Sequence, residues 1–552
     1  MAEQQNPRTT EPNMSDPTAY SRTMADIAAR SQRIVAEWLD RQREVDVAID
    51  PLNIGSAFME MMAKLMSNPS MLIDAQLGFW QDYVTLWQHS TRRMMGLETA
   101  PVVPPDPRDK RFQHEEWKEN EIFDFIRQSY LLSARFVQDV VRRVDGLDPK
   151  TRDLEAGRGQ LHIRMTDAEA FSVGGNIAVT PGKVVFRNEL MELIQYTPAT
   201  QTVRKTPLVI FPPWINKFYI LDLRPKNSFI RWAVEQGHTV FVASWVNPDE
   251  RLAEKDFADY MKLGVFAALG AIEQATGERQ VNAIGYCLGG TLLAATLAVM
   301  ARRRDNRIKS ATFLVTLTDF ADVGELGVFI DEEQLVALEE KMNRRGYLEG
   351  SAMATTFNML RSNDLIWSFV VNNYLLGNET FPFDLLYWNS DSTRMPAAMH
   401  SFYLRNMYQK NLLSQKDAIT LDGTPVDLRR VKVPVYFLSC REDHIAPWAS
   451  TYRATQMMAG PKRFVLAASG HIAGVINPPD SGKYNHFVNA TLPTSPEDWF
   501  AGATEVAGSW WPDWQRWIAA QGSEQVPARG PGDGALPALT DAPGNYVKVR
   551  SA

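Results

Sequence analysis

The hexapeptide Gly285-Tyr286-Cys287-Leu288-Gly289-Gly290 joins an apolar, strand-like run, QVNAI, to a helix-like run, TLLAATLAVMARR. A thiol on a sharp strand-to-helix turn is a candidate covalent nucleophile. The pattern is that of the nucleophile elbow, G-x-S-x-G, with Cys in place of Ser. The glycines follow from sterics, because side chains two positions to either side would strike so tightly turned a backbone. The turn also brings the N–H of Leu288 to a helix N-terminus, where it can stabilise an oxyanion. Outside such a context a free Cys is usually a core residue. Cys440, at the end of the apolar run VYFLS, is read that way.

A cysteine nucleophile needs a base and a group that orients the base. The run VPVYFLS leads into Cys440-Arg441-Glu442-Asp443-His444, and RFVLAAS leads into Gly470-His471-Ile472. Nucleophile, acid and His thus follow one another at strand ends in the chain order that an elbow enzyme uses. Asp443 is the expected acid, with Glu442 as its rival, and His471 the expected base, with His444 as its rival. A second oxyanion donor should come from the loop after an early strand. The run LVIF enters Pro212-Pro213-Trp214-Ile215-Asn216-Lys217, where the prolines leave few N–H groups. Trp214 is the chosen donor, with Ile215 beside it.

These residues need a scaffold that presents strand ends together. Strand-like runs fall at 183–186, 207–211, 239–243, 280–284, 311–316, 433–439 and 463–467, with helical runs such as 254–276 and 288–303 between them. That alternation predicts an α/β fold with a mostly parallel sheet and helices on both faces. With the elbow, it points to an α/β-hydrolase scaffold spanning 181–522. The rhythm breaks over about 320–425, a long helical stretch rich in aromatics, as a cap over an active site would.

Upstream, residues 1–20 are polar and read as disordered, and 21–180 as a helical N-terminal domain. Helical patterns run over 23–40 and 114–145, separated by the Pro-rich joint PVVPPDP. Met59, Met61, Met62, Leu65 and Met66 crowd one segment, and Phe79, Trp80, Tyr83, Leu86 and Trp87 follow at helical spacing. Core packing explains them most simply, and an adaptable apolar surface is the other reading. Residues 523–552 read as a Gly- and Pro-bearing tail in which YVKVR could add a short strand.

The chain has 552 residues, 45% hydrophobic and 22% charged, with a formal net charge of −7. That charge offers no reason to expect nucleic-acid binding. Two cysteines and no signal-like N-terminus favour a reducing cytoplasm. No apolar run reaches the length of about 18 residues needed to span a bilayer, so contact with lipid or polymer should be peripheral.

Taken together, GYCLGG, FPPWINKFYILDL, NSDSTRMPAAMHSFYLRNMY, REDHIAPW and SGHIAGVINPP resemble the polyhydroxyalkanoate synthases. The resemblance runs from about residue 160 to the C-terminus and extends to the helical N-terminal region. The forms ILDL and HIAGVINPP are similar to those of class I. It implies polymerisation of short-chain (R)-3-hydroxyacyl-CoA thioesters into polyester with release of CoA. Cys287 would be acylated, His471 the base and Asp443 the acid. It implies no metal and no cofactor beyond the CoA substrate, a homodimer, and attachment to the polyester granule. It also places Arg361, and with it His444, on the CoA or product path, although an exposed helical arginine would look no different. In the family LDPKTR is followed by a few dozen residues with PSNF-like and NPE-like motifs, whereas here Arg152 runs almost directly into DLEAGRGQL. Fold and triad alone would also allow a thioesterase or polyester hydrolase, or a weakly active granule-associated protein.

Overall fold

The computed structural model describes residues 69–94, 97, 99–104, 112, 115–143, 165–361, 365, 368–375 and 381–550. The expectations for 1–20 and 23–40, for the methionines of 59–66 and for the junction at Arg152 lie outside them.

Among the described residues two long helices precede the sheet: α1, Pro69–Met94, and α2, Glu121–Arg143. A buried polar knot lies between them. Asp124 of α2 faces His89 at 3.0 Å and Arg93 at 3.3 Å on α1, and pairs with Arg127 on its own helix. The expected aromatic stripe is not one buried face. Leu86 is fully buried and Phe79 and Tyr83 are half-buried, but Trp87 is 57% exposed. Leu86, His89 and Ser90 mark the buried line of α1, and Trp87, about 100° further round than Leu86, is left on the solvent side.

Among the described residues the sheet has eleven strands. They are β1 Gly182–Arg187, β2 Met191–Tyr196, β3 Leu208–Phe211, β4 Val240–Trp245, β5 Val281–Tyr286, β6 Ile308–Leu314, β7 Val435–Cys440, β8 Lys462–Ala467, β9 Asn485–Val488, β10 Thr504–Ala507 and β11 Thr540–Asp541. Their spatial order is β10-β9-β8-β7-β6-β5-β3-β4-β2-β1-β11. From β8 to β4 all neighbours are parallel. Antiparallel strands extend the sheet at both sides. Each of the seven expected runs is a strand of this sheet.

Both faces are covered, which is why the central strands read as continuous apolar runs rather than alternating ones. In β3, Val209 and Phe211 join one core cluster while Leu208 and Ile210 join the other. Helix α3, Leu288–Arg303, buries every residue from Leu288 to Met300. A helix wrapped on all sides has no need of an amphipathic pattern.

Between β6 and β7 lies the expected helical insertion. It contains α4 Glu332–Arg345, α5 Gly350–Leu360, α6 Asp384–Ser390 and α7 Ala397–Tyr403. The N-terminal region touches it, since Phe112 and Trp117 pack with Val371.

The C-terminal stretch departs from expectation. Val526 pairs with Val203 and Thr540 with Val184, so the segment expected as a tail lies along the body. YVKVR adds no strand, and Tyr546–Lys548 forms a 3-10 turn instead. The cause is a competing acceptor: the N–H groups of Asn545 and Tyr546 donate to the buried Glu192 carboxylate on β2, at 2.8 and 3.0 Å.

Candidate active site

Cys287 stands between β5 and α3 with φ 51° and ψ −120°. This is a backbone that non-glycine residues seldom adopt, and such strain persists only where the surroundings enforce it. Here they do. The Cys287 N–H donates to the Leu314 carbonyl on β6 at 2.9 Å, and its own carbonyl accepts from Gly290 and Thr291. At Gly285 a Cβ would run into Gly290 Cα, and at Gly289 into the Phe211 carbonyl at the end of β3. The elbow can therefore close only on glycine. Leu288 opens α3, so its N–H has no acceptor within the helix.

His471 and Asp443 come from the loops after β8 and β7 and meet at the carboxyl edge of the sheet. His471 Nδ1 donates to Asp443 Oδ2 at 2.6 Å, and both side chains are buried. Asp443 Oδ1 accepts from the N–H groups of Ile445 and Ala446, each at 2.8 Å, so its own loop fixes the acid. Burial alone would lower the His471 pKa. The Asp443 carboxylate and then Cys287 outweigh burial and raise it to about 10. Ser469, two residues before this His, has φ 75°. Of the rivals, Glu442 is exposed, while His444 sits on the wall of the same cavity. Cys440 is fully buried within β7. Burial, followed by the charges of Asp443 and Glu442, pushes its thiol well above the ordinary range.

Cys287 and His471 face a cavity of about 320 Å³. Pro213 and Ile215 line it from the loop after β3, Phe357, Arg361 and Trp388 from the insertion. Arg361, an exposed residue at the C-terminus of α5, therefore does reach this space. Trp214 does not line it. Its ring turns into the core, stacked on Tyr260 at 4.3 Å and edge-on to Trp245 at 5.3 Å. Ile215, the neighbour considered alongside it, is the one at the cavity wall.

Sequence reasoning missed two supports of the site. Tyr286 is buried, with its ring stacked on His471 and its hydroxyl 3.4 Å from the His471 carbonyl. The loop after β3 is also bolted to α6 and the chain following it. Lys217 pairs with Asp391 at 2.7 Å, Tyr219 donates to the same carboxylate at 2.8 Å, and Trp388 Nε1 donates to the Lys217 carbonyl at 2.7 Å. Thr393 donates through Oγ1 to the Trp214 carbonyl and through its N–H to that of Ile215. The signal lay in two motifs, NKFYILD and NSDST, whose charged residues have each other as partners. Losing either member of a buried ion pair such as Lys217–Asp391 costs about 3–5 kcal/mol. Among the described residues no group of three or more His, Cys, Asp or Glu is placed to hold a metal ion.

Sheet order, elbow and helical insertion define an α/β-hydrolase, and the family described as "alpha/beta hydrolase fold" matches residues 211–478. The crystal structure of the Paleococcus ferrophilus monoacylglycerol lipase is similar to 60% of this chain and 97% of its own, at 14% identity and a TM-score of 0.33. A second family, described as "Poly-beta-hydroxybutyrate polymerase (PhaC) N-terminus", matches residues 108–154 and 144–233, two pieces that overlap over 144–154. The Methylorubrum extorquens protein named poly(3-hydroxyalkanoate) polymerase is 50% identical, over 88% of this chain and 88% of that protein. The Cupriavidus necator protein named poly(3-hydroxyalkanoate) polymerase subunit PhaC is 39% identical, over 89% and 91%. The chain belongs to the poly(3-hydroxyalkanoate) polymerase family and is an acyltransferase.

Proposed function

We propose that the chain polymerises short-chain (R)-3-hydroxyacyl-CoA thioesters, such as 3-hydroxybutyryl-CoA, through a covalent acyl–Cys287 intermediate served by His471 and Asp443. The observation that carries this reading is the 2.6 Å His471–Asp443 pair opening on the same cavity as Cys287 on its elbow.

His471 accepts the Cys287 proton, and its raised pKa favours the state in which it holds that proton. The sulfur attacks the thioester carbonyl. The N–H groups of Leu288 and Ile215 receive the developing oxyanion. CoA departs as its thiolate and takes the proton from His471, which leaves a thioester on Cys287 and a neutral imidazole. Exchange of one thioester for another is close to neutral in energy, which suits a sulfur nucleophile. Once Cys287 is acylated, its charge no longer supports the His471 proton. The imidazole is then better able to take the proton of a 3-hydroxyl, whose oxygen attacks the next acyl thioester; the ester lengthens as the thiolate is expelled and takes that proton back from His471. The apolar wall of Ile215, Phe357, Leu386 and Trp388 limits water, which would otherwise hydrolyse the intermediate. The exposed rings of Phe381 and Phe383 on the insertion and Trp87 on α1 suit a polyester granule surface. A homodimer completes the reading.

Brief exposure to 3-hydroxybutyryl-CoA followed by mass spectrometry should find the acyl group on Cys287 and insoluble polyester with free CoA. Soluble hydroxy acid without polymer would sink the polymerase reading in favour of a hydrolase.

A further inference from the structure

A second cavity, of about 270 Å³, lies behind the segments that wall the first. Consecutive residues divide between the two spaces. Asn216, Trp388 and Asn389 face the first, while Lys217, Tyr387 and Asp391 face the second. The rest of the second cavity comes from 168–173 and from 547–550 near the C-terminus.

Its charge is unbalanced. Three cations, Lys217, Lys548 and Arg550, line it together with one carboxylate, Asp391. Both oxygens of that carboxylate are already engaged, Oδ1 by Lys217 at 2.7 Å and Oδ2 by the Tyr219 hydroxyl at 2.8 Å. The side chains of Lys217 and Asp391 are each 3% exposed. Arg550 is held over the Tyr387 ring, 4.8 Å from its centroid, and donates to the Tyr387 hydroxyl. Burial lowers the Lys217 pKa, Asp391 opposes that, and the Arg550 charge adds to it. Positive charges gathered in a pocket with only one matching carboxylate are stabilised by an incoming anion.

We propose that this second cavity binds a phosphoryl anion, either inorganic phosphate or the phosphate of an ester, between Lys217, Lys548 and Arg550, with the Ser172 hydroxyl as a further donor. The surplus of two positive charges matches a dianion better than a carboxylate. A guanidinium beside two ammonium groups suits a tetrahedral oxyanion. The neutral polyester offers nothing for these groups to recognise. The volume admits a phosphate or diphosphate, so the nucleoside of a larger ester such as CoA would lie outside. A bound anion would tie the C-terminal segment to Lys217, one residue from Asn216 on the wall of the first cavity.

The test is binding by the full chain, and it does not depend on polymerisation. Inorganic phosphate is titrated calorimetrically at fixed ionic strength into the wild type and into a Lys548→Gln/Arg550→Gln variant. Both substituted residues are exposed. We expect saturable binding at one site per chain, a rise in melting temperature with phosphate, and at least about tenfold weaker binding in the variant. If the double variant melts early without ligand, Lys548→Gln alone carries the same expectation. Competition by CoA would identify an ester phosphate as the source, and its absence would identify the free ion; both support the site. Absence of saturable binding, or equal affinity in wild type and variant, would overturn it.

Discussion

Cys287 follows strand β5 and Cys440 ends strand β7, on either side of β6 in one sheet, and their surroundings could hardly differ more. Cys440 completes its strand with an ordinary backbone, and its sulfur lies against Gly474, where no side chain would fit. Cys287 stands one residue past its strand at φ 51°, partly exposed, with His471 lining the same cavity. The residue type is the same and so is the edge of the sheet. In the mechanism we propose, reactivity is decided by one positive-φ turn that lifts one sulfur out of the core, and by the loops that bring a base to it.

The contrast can be broken most sharply by substitution. Cys287→Ala should cut polymer formation by about 10⁴-fold or more, while Cys440→Ala should leave the rate of CoA release within about threefold. Equal losses at the two cysteines would erase the distinction. A smaller effect belongs to the group that orients the base. Asp443→Asn should lower the rate by about 10²-fold and bring the His471 pKa, followed by imidazole NMR, down from about 10. The sign of the linked stability follows. A His whose folded pKa is raised gives a contribution that is fully present below its unfolded value of about 6.5 and lost as pH rises through the folded value. The melting-temperature gap between wild type and Asp443→Asn should therefore be widest between about pH 5 and 6.5 and close as pH passes about 10. A gap that widens with pH would contradict the assignment.

Next comes the turn itself. Gly285→Ala forces a methyl group onto Gly290 Cα and should cost about 2 kcal/mol or more, read as a fall in melting temperature. An unchanged melting temperature would mean that the elbow is not held as tightly as its contacts imply. The smallest effect is at the other cysteine, where Cys440→Ala leaves a small void and should cost about 1 kcal/mol.

What could be read from the chain beforehand followed the same division. Six of the seven runs, those that became β3 to β8, were visible because central strands buried on both faces are continuous apolar stretches. The elbow was visible because steric demands restrict it to a few residue types. Strand β2 was not, since MELIQY carries Glu192 and Gln195 into the interior, and a buried Glu192 is made tolerable by Arg187 on the neighbouring strand and by the distant Asn545 and Tyr546. The same long-range contact holds Tyr546–Lys548 as a 3-10 turn where YVKVR could have added a short strand. Trp214 and Ile215 stayed alternatives as the second donor because proximity in sequence says nothing about which way a loop faces. Three of the readings that mattered for the site, Cys287, Asp443 and His471, depended on positions at strand ends, and topology brought them together.

The bolts between the loop after β3 and residues 384–393 bear on how the cavity answers force. Helix α6 buries Asp384, Leu386, Tyr387 and Trp388, and the chain beyond it is clamped through Asp391 and Thr393. Helix α5, which brings Phe357 and Arg361 to the opposite part of the lining, buries only Gly350. Local stability follows the density of buried contacts. In mechanical terms the cavity has one stiff wall and one soft wall, and the work done by a lengthening chain within it would fall on α5.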